Sequence, residues 1–159
     1  MPPALVTDSN SQLPESLRVR YGIRVVPIPI MVNGINYREG VDLDADGFYD
    51  LFAHGTPEVT TSQPSPGAFV EIYEACIDAG HDQIISVHVG ESLSGTLNSA
   101  RIAAGMVDAD IRLVDSRTLS FGVSCCVWRA AQVLEEGGSV DKAIAEAEGL
   151  ADNLYSVTA

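Results

Sequence analysis

The sequence predicts an α/β fold: a mainly parallel sheet flanked by helices, with a proline-containing edge strand and a hairpin. Three observations carry this expectation. Short apolar runs at residues 4–7, 83–89 and 111–114 each end in a polar cluster, as buried strands leading into loops do. Stretches with apolar residues at helical spacing separate these runs, and such β-α alternation builds parallel sheets. Asn33-Gly34, set between Ile30-Met31-Val32 and Ile35-Asn36-Tyr37, is the strong two-residue hairpin signal.

The elements follow in chain order. Ala4-Leu5-Val6-Thr7 reads as a buried strand ending in the turn-forming cluster Asp8-Ser9-Asn10-Ser11. A short helix is expected after Pro14, with Gly22 as its stop. Residues 23–32 are β-rich but hold Pro27 and Pro29, which cannot donate to a ladder, so an edge strand is expected there. Asp44 can cap a helix carrying Phe48, Tyr49, Leu51 and Phe52, and residues 54–63 read as a loop. Ser65 and Pro66 suit the cap and first position of a helix bearing Phe69, Ile72, Tyr73, Cys76 and Ile77. Further helices are expected over 96–106, over 119–134 and, capped by Ser139, from Val140 through Leu154. Residues 155–159 read as the start of an extended segment.

The chain of 159 residues is long enough for one domain with a sizeable core, and 46% of it is hydrophobic. Nine basic residues against 22 acidic ones give a formal charge of −13. That balance argues against nucleic acid, which needs clustered Lys and Arg, and against an anionic membrane surface. An anionic ligand would have to be held by neutral donors. Cys76, Cys125 and Cys126 are odd in number, match no zinc spacing and fall in apolar helical runs, so buried thiols in a reducing, cytoplasmic setting are expected. Met1-Pro2-Pro3 carries no signal-peptide pattern, and no apolar run is long enough for a stable membrane insertion.

Ligands of open α/β sheets sit beyond the C-terminal ends of the strands. Three polar clusters fall there: Thr7-Asp8-Ser9, residues 90–96, and Asp115-Ser116. The loop 60–66 leads into a helix and reaches the same rim. Hydroxyls beside helix N-termini, where amides lack intrahelical acceptors, suit a carboxylate or phosphate. On residue type alone, Thr61, Ser62 and Ser65 serve equally well as turn and cap residues, and residues 92–96 as a capped strand-to-helix turn. His54, His81 and His88 share no ligand spacing, and no nucleophile elbow, P-loop or dinucleotide fingerprint is present. His88, near a strand end, is the one candidate for histidine chemistry.

Thr7-Asp8-Ser9 with Val25-Val26-Pro27-Ile28, then Thr61-Ser62-Gln63-Pro64-Ser65-Pro66-Gly67, then Leu93-Ser94-Gly95-Thr96 with Ser99-Ala100, then Val114-Asp115-Ser116 with Ser120-Phe121-Gly122, together resemble the DegV family in content and order. The resemblance implies a fatty-acid-binding protein that encloses one long-chain fatty acid between two domains. It implies that Thr61 and Ser94 hold the carboxylate, with Ser62, Gly95, Thr96, Asp8 and Ser9 around it. It further implies no cofactor, no metal and no catalytic residue of the chain's own, the acid being presented to a separate fatty-acid kinase. The family's second, lid-like domain has no counterpart in residues 1–159, so the expectation is one DegV-like N-terminal domain carrying half of a site. Related folds include dihydroxyacetone kinase and sugar phosphocarriers with a histidine at the site, so the alternative is a phosphotransfer or small-carbonyl-kinase-related domain using His88. A fragment with no ligand is the third reading.

Overall fold

The computed structural model describes residues 1–153. The extended segment expected at 155–159, and Leu154, lie outside the described residues. Four parallel strands form the main sheet in the order β2-β1-β6-β7: β1 (Ala4–Asp8), β2 (Arg24–Val26), β6 (Gln83–His88) and β7 (Asp110–Asp115). The chain leaves β1 in one direction and β6 in the other, so the strand order reverses between these two central strands. That reversal is the switch point at which open α/β sheets bind ligands.

Helices cover both faces. On one side lie α1 (Glu15–Tyr21), α5 (Phe121–Glu135) and α6 (Val140–Ala151), burying Leu5, Ile85, Val87, Val123, Val127 and Ala147 in one core cluster. On the other lie α3 (Pro66–Asp78) and α4 (Thr96–Ala104), which enclose Val6, Val26, Phe69, Tyr73, Ile84 and Ala100. The two crossovers β1-α1-β2 and β6-α4-β7 run in opposite directions, and right-handed connections then place α1 and α4 on opposite faces. Predicted caps are met: Ser65 accepts from Ala68 N at 3.1 Å and Ser139 from Lys142 N at 3.1 Å, while Gly22 ends α1 at φ 63°.

Residues 23–32 differ from the expectation of one edge strand. Of these residues, only β2 lies at an edge of the parallel sheet. The chain then crosses at Pro27 into a second, antiparallel sheet in the order β4-β3-β5, where β3 (Pro29–Val32) is the central strand between β4 (Ile35–Arg38) and β5 (Val59–Thr61). Pro29 is tolerated because it opens the strand, where its carbonyl accepts from Ser62 N at 3.3 Å and no ladder donor is required of it. The hairpin forms as predicted, with Asn33 at φ 50° and Gly34 at φ 81°. Asn33 Oδ1 also accepts from Glu58 N at 2.9 Å, which anchors β5. That strand was read as loop because three residues are too short to show alternation. A small third cluster, Ile30, Val32 and Leu43 with Phe48 and Val59, joins this sheet to α2 (Ala45–Asp50).

Candidate functional site

The C-terminal ends of β1 and β6 meet at Asp8 and His88, both fully buried. Asp8 Oδ1 accepts from Asn10 N at 2.9 Å, and Oδ2 accepts from Val89 N at 3.1 Å and contacts His88 Nδ1 at 2.9 Å. Ser86 Oγ lies 2.5 Å from His88 Nε2 and accepts from the Tyr73 hydroxyl at 2.9 Å. Burial pushes the Tyr73 hydroxyl up to about 12, with the Ser86 bond opposing it, so it stays protonated and donating. Asp8, expected around the head group, is fully buried beneath the rim. His88 has no exposed surface and both ring nitrogens are engaged, which leaves no approach for a phosphoryl donor. This arrangement speaks against the His88 alternative.

The surface of the rim is built by two loops. After β6, Gly90 N donates to Thr118 O at 2.8 Å, and Gly90 O accepts from Leu93 N at 2.9 Å and Ser94 N at 3.2 Å. The half-buried Ser94 then precedes α4: its Oγ accepts from Thr96 N at 3.2 Å and lies 2.8 Å from Thr96 Oγ1. Thr96 is buried, and Thr61, at the end of β5, is exposed with Ser62 and Gln63. The loops touch: a Cβ on Gly95 would stand 3.1 Å from Gln63 Cδ and 3.2 Å from Nε2, so Gly95 is the side-chain-free spot on which the Gln63 carboxamide rests. Sequence reading brought Thr61, Ser62, Ser94, Gly95 and Thr96 to one rim and the structure joins their loops. It missed Gln63 as the contact. An open groove of about 770 Å³ beside the loop is lined by Val25, Pro27, Met31, Ser62, Ala68 and Ile72 among others.

Ser9 is occupied elsewhere. Its Oγ accepts from Ile28 N at 2.9 Å and donates to Glu39 Oε2 at 2.9 Å, tying the first strand's end to the hairpin. Burial raises the Glu39 pKa, the Ser9 bond opposes this, and the Asp8 charge raises it further. A carboxyl with a raised folded pKa binds its proton more tightly folded than unfolded. Its contribution to stability is fully present below the ordinary value of 4.5 and is lost as pH rises through the folded value. Glu39→Gln should remove this component, because the amide oxygen still accepts from Ser9 with no charge to desolvate. Urea midpoints across the acid-to-neutral range should therefore fall less with rising pH in the variant, which should be at least as stable as the parent near neutrality. A steeper fall would contradict the assignment.

Burial raises all three thiol pKa values, that of Cys126 to about 11, so Cys76, Cys125 and Cys126 stay neutral and weakly nucleophilic. Among the described residues no helix is long and apolar enough to cross a membrane.

Hydroxyls and helix-start amides gathered at the switch point of a parallel α/β sheet make the kind of rim at which such folds receive anionic or polar ligands. The chain belongs to the DegV family: residues 3–158 match the family model described as "Uncharacterised protein, DegV family". A DegV domain-containing protein of Caldanaerobacter subterraneus is 39% identical over 142 residues, covering 89% of this chain and 50% of the relative. One from Staphylococcus aureus is 33% identical over 152 residues, covering 94% and 53%. The chain thus spans about half the length of the curated relatives it matches. Among solved structures, a DegV family protein from Thermus thermophilus, described for its fatty-acid binding, superposes with a TM-score of 0.86 at 38% identity, over 96% of this chain and 54% of that one. The fatty-acid-binding DegV of Bacillus subtilis gives 0.88 at 31% identity, over 96% and 54%.

Proposed function

We propose that this chain supplies the head-group half of a fatty-acid-binding site, in which the Thr61 and Ser94 hydroxyls and the amides opening α4 receive the carboxylate. The observation that carries the reading is the contact of Gln63 with Gly95, which brings the two hydroxyl-bearing loops together at the switch point. Ser94 is suited to the task. When Thr96 Oγ1 donates to Ser94 Oγ, both Ser94 lone pairs are used by Thr96, and its single proton is left to point at a ligand. A carboxylate there meets the positive end of the α4 dipole, and hydrogen bonds replace the water it loses. Ser62, Gly95 and Thr96 surround it, whereas Asp8 and Ser9 act from behind. The acyl chain supplies more affinity, at ~0.8 kcal/mol per buried CH₂. Leu93, exposed beside Ser94, offers part of an apolar wall. A second domain would complete the enclosure, and the bound acid would be presented to a separate kinase in a reducing cytoplasm, where free thiols persist. No residue of this chain then performs chemistry.

The test is native mass spectrometry of the chain incubated with palmitate. The parent should carry one acid per chain. Loss of a hydrogen bond to a charged group costs roughly 1.5–3 kcal/mol. Thr61→Ala and Ser94→Ala should therefore each weaken retention about tenfold or more, and the double variant further. Equal retention by all three variants and the parent would remove both hydroxyls from the head-group role.

A further inference from the structure

We infer that Asp8 is a positioning residue for the Ser94 loop, oriented by the buried chain Tyr73–Ser86–His88 and acting through Val89 and Gly90. The inference rests on the head-group reading only for its functional consequence. The geometry stands without it. The Asp8 carboxylate can only accept, so a neutral His88 carries its proton on Nδ1, and its bare Nε2 accepts from the Ser86 hydroxyl, whose oxygen accepts from Tyr73. His88 donates that ring proton to Asp8 Oδ2. This assignment satisfies every polar atom of the chain, with Asp8 accepting only: from His88, Val89 N and Asn10 N. The Phe69 ring meets the imidazole edge-to-face at 5.0 Å and 88°, which fixes the plane of the ring.

The output side runs to the surface. Val89 N is held by Asp8, the next residue's carbonyl, Gly90 O, accepts from Ser94 N, and Ser94 stands two residues before α4. Asn10, held through its own amide by Asp8, accepts from Ser120 N at 2.9 Å and so ties in the start of α5. One carboxylate thus fixes the loops after β1 and β6 and, through Asn10, the loop before α5. A carboxylate with no exposed surface is costly to bury, and an apolar pair would fill the same space without that cost. Asp8 cannot itself touch a bound carboxylate from its buried place, and its charge would repel one. Its two bonds to the rim loops, from Val89 N and Asn10 N, are what it contributes.

Two measurements on the 159-residue chain test this. Nitrogen NMR of His88 near neutral pH should show Nδ1 protonated and Nε2 bare; the opposite tautomer would overturn the chain as drawn. In Asp8→Ala, Val89 N, Asn10 N and His88 Nδ1 all lose their acceptor. Hydrogen exchange of the Ser94 amide should then accelerate about tenfold or more relative to that of Ile85 in the middle of β6. Ser94 exchange unchanged in the folded variant would overturn the positioning role. If Asp8→Ala does not fold, Ser86→Ala serves instead, since it removes the partner of His88 Nε2 and leaves every Asp8 bond in place. That variant should alter the His88 ring signals and accelerate Ser94 exchange less strongly; no change in either would refute the relay. Palmitate affinity is measured alongside. A parent that binds no palmitate defeats the head-group reading, while the exchange result still decides the role of Asp8.

Discussion

Replacing Phe69 with alanine is expected to cost about 3–5 kcal/mol of folding stability, the range for truncating a fully buried aromatic ring. Phe69 has no exposed surface. Its ring lies 5.9 Å from that of Tyr73 and 5.0 Å from the imidazole of His88, so it joins the apolar core beneath α3 to the polar chain at the switch point. Removing it forfeits transfer energy and leaves a cavity flanked by β-sheet, which cannot collapse around it. It also admits water or empty space beside a histidine whose bonds depend on a fixed ring plane. Against a typical net stability of roughly 5–15 kcal/mol, the loss is a large fraction of the whole. Urea unfolding of parent and variant measures it directly. A cost below about 1 kcal/mol would mean that the site does not depend on this ring for support.

Gly90→Ala is expected to destabilise by about 1–3 kcal/mol, as overpacking does, and to disturb the Ser94 loop more than the core. A methyl there would stand 3.1 Å from the Arg117 carbonyl carbon and 3.2 Å from both Arg117 Cα and Thr118 N. All three are backbone atoms, so no side chain can turn aside. The Gly90 amide is bonded to Thr118 O at 2.8 Å, and the two loops must separate by a few tenths of an ångström for the methyl to fit. Because Gly90 O also holds the Leu93 and Ser94 amides, the shift is passed to Ser94. A crystal structure or amide shifts of the variant should show displacement centred on residues 89–96 and 117–118. An unmoved Ser94 would separate the glycine's packing role from the site.

Much of this architecture is legible in the residues. The apolar runs of β1, β6 and β7, the caps Ser65 and Ser139 and the Asn33-Gly34 turn each carry a local physical signature, and each is found where it was read. The failures are non-local. Pro27 and Pro29 signal that a ladder is interrupted, but not that the chain changes sheets between them. Val59–Thr61 has β-forming residues but too few to display a period, and its strand exists only because β3 lies beside it. Asp8 and His88 read as a turn residue and an isolated histidine. Their pairing depends on the register Thr7↔Val87, which places them side by side on one face. One clue was available: Ser86 and His88, two apart in an apolar strand, must point to the same buried face and need partners there. For the candidate site, the rim rule points to the loops of Thr61 and Ser94. Their contact through Gln63 and Gly95 required the fold.

A carboxylate received between Thr61 and the start of α4, as proposed, would be felt first by the backbone amides there. Titrating the isotope-labelled chain with palmitate and following its backbone amides by NMR tests that placement most directly. The largest shifts should fall on Thr61, Ser62 and residues 94–97, with the buried strands unmoved. Shifts centred on the groove of Ser11, Arg18 and Val25, with Thr61 and Ser94 unaffected, would contradict it.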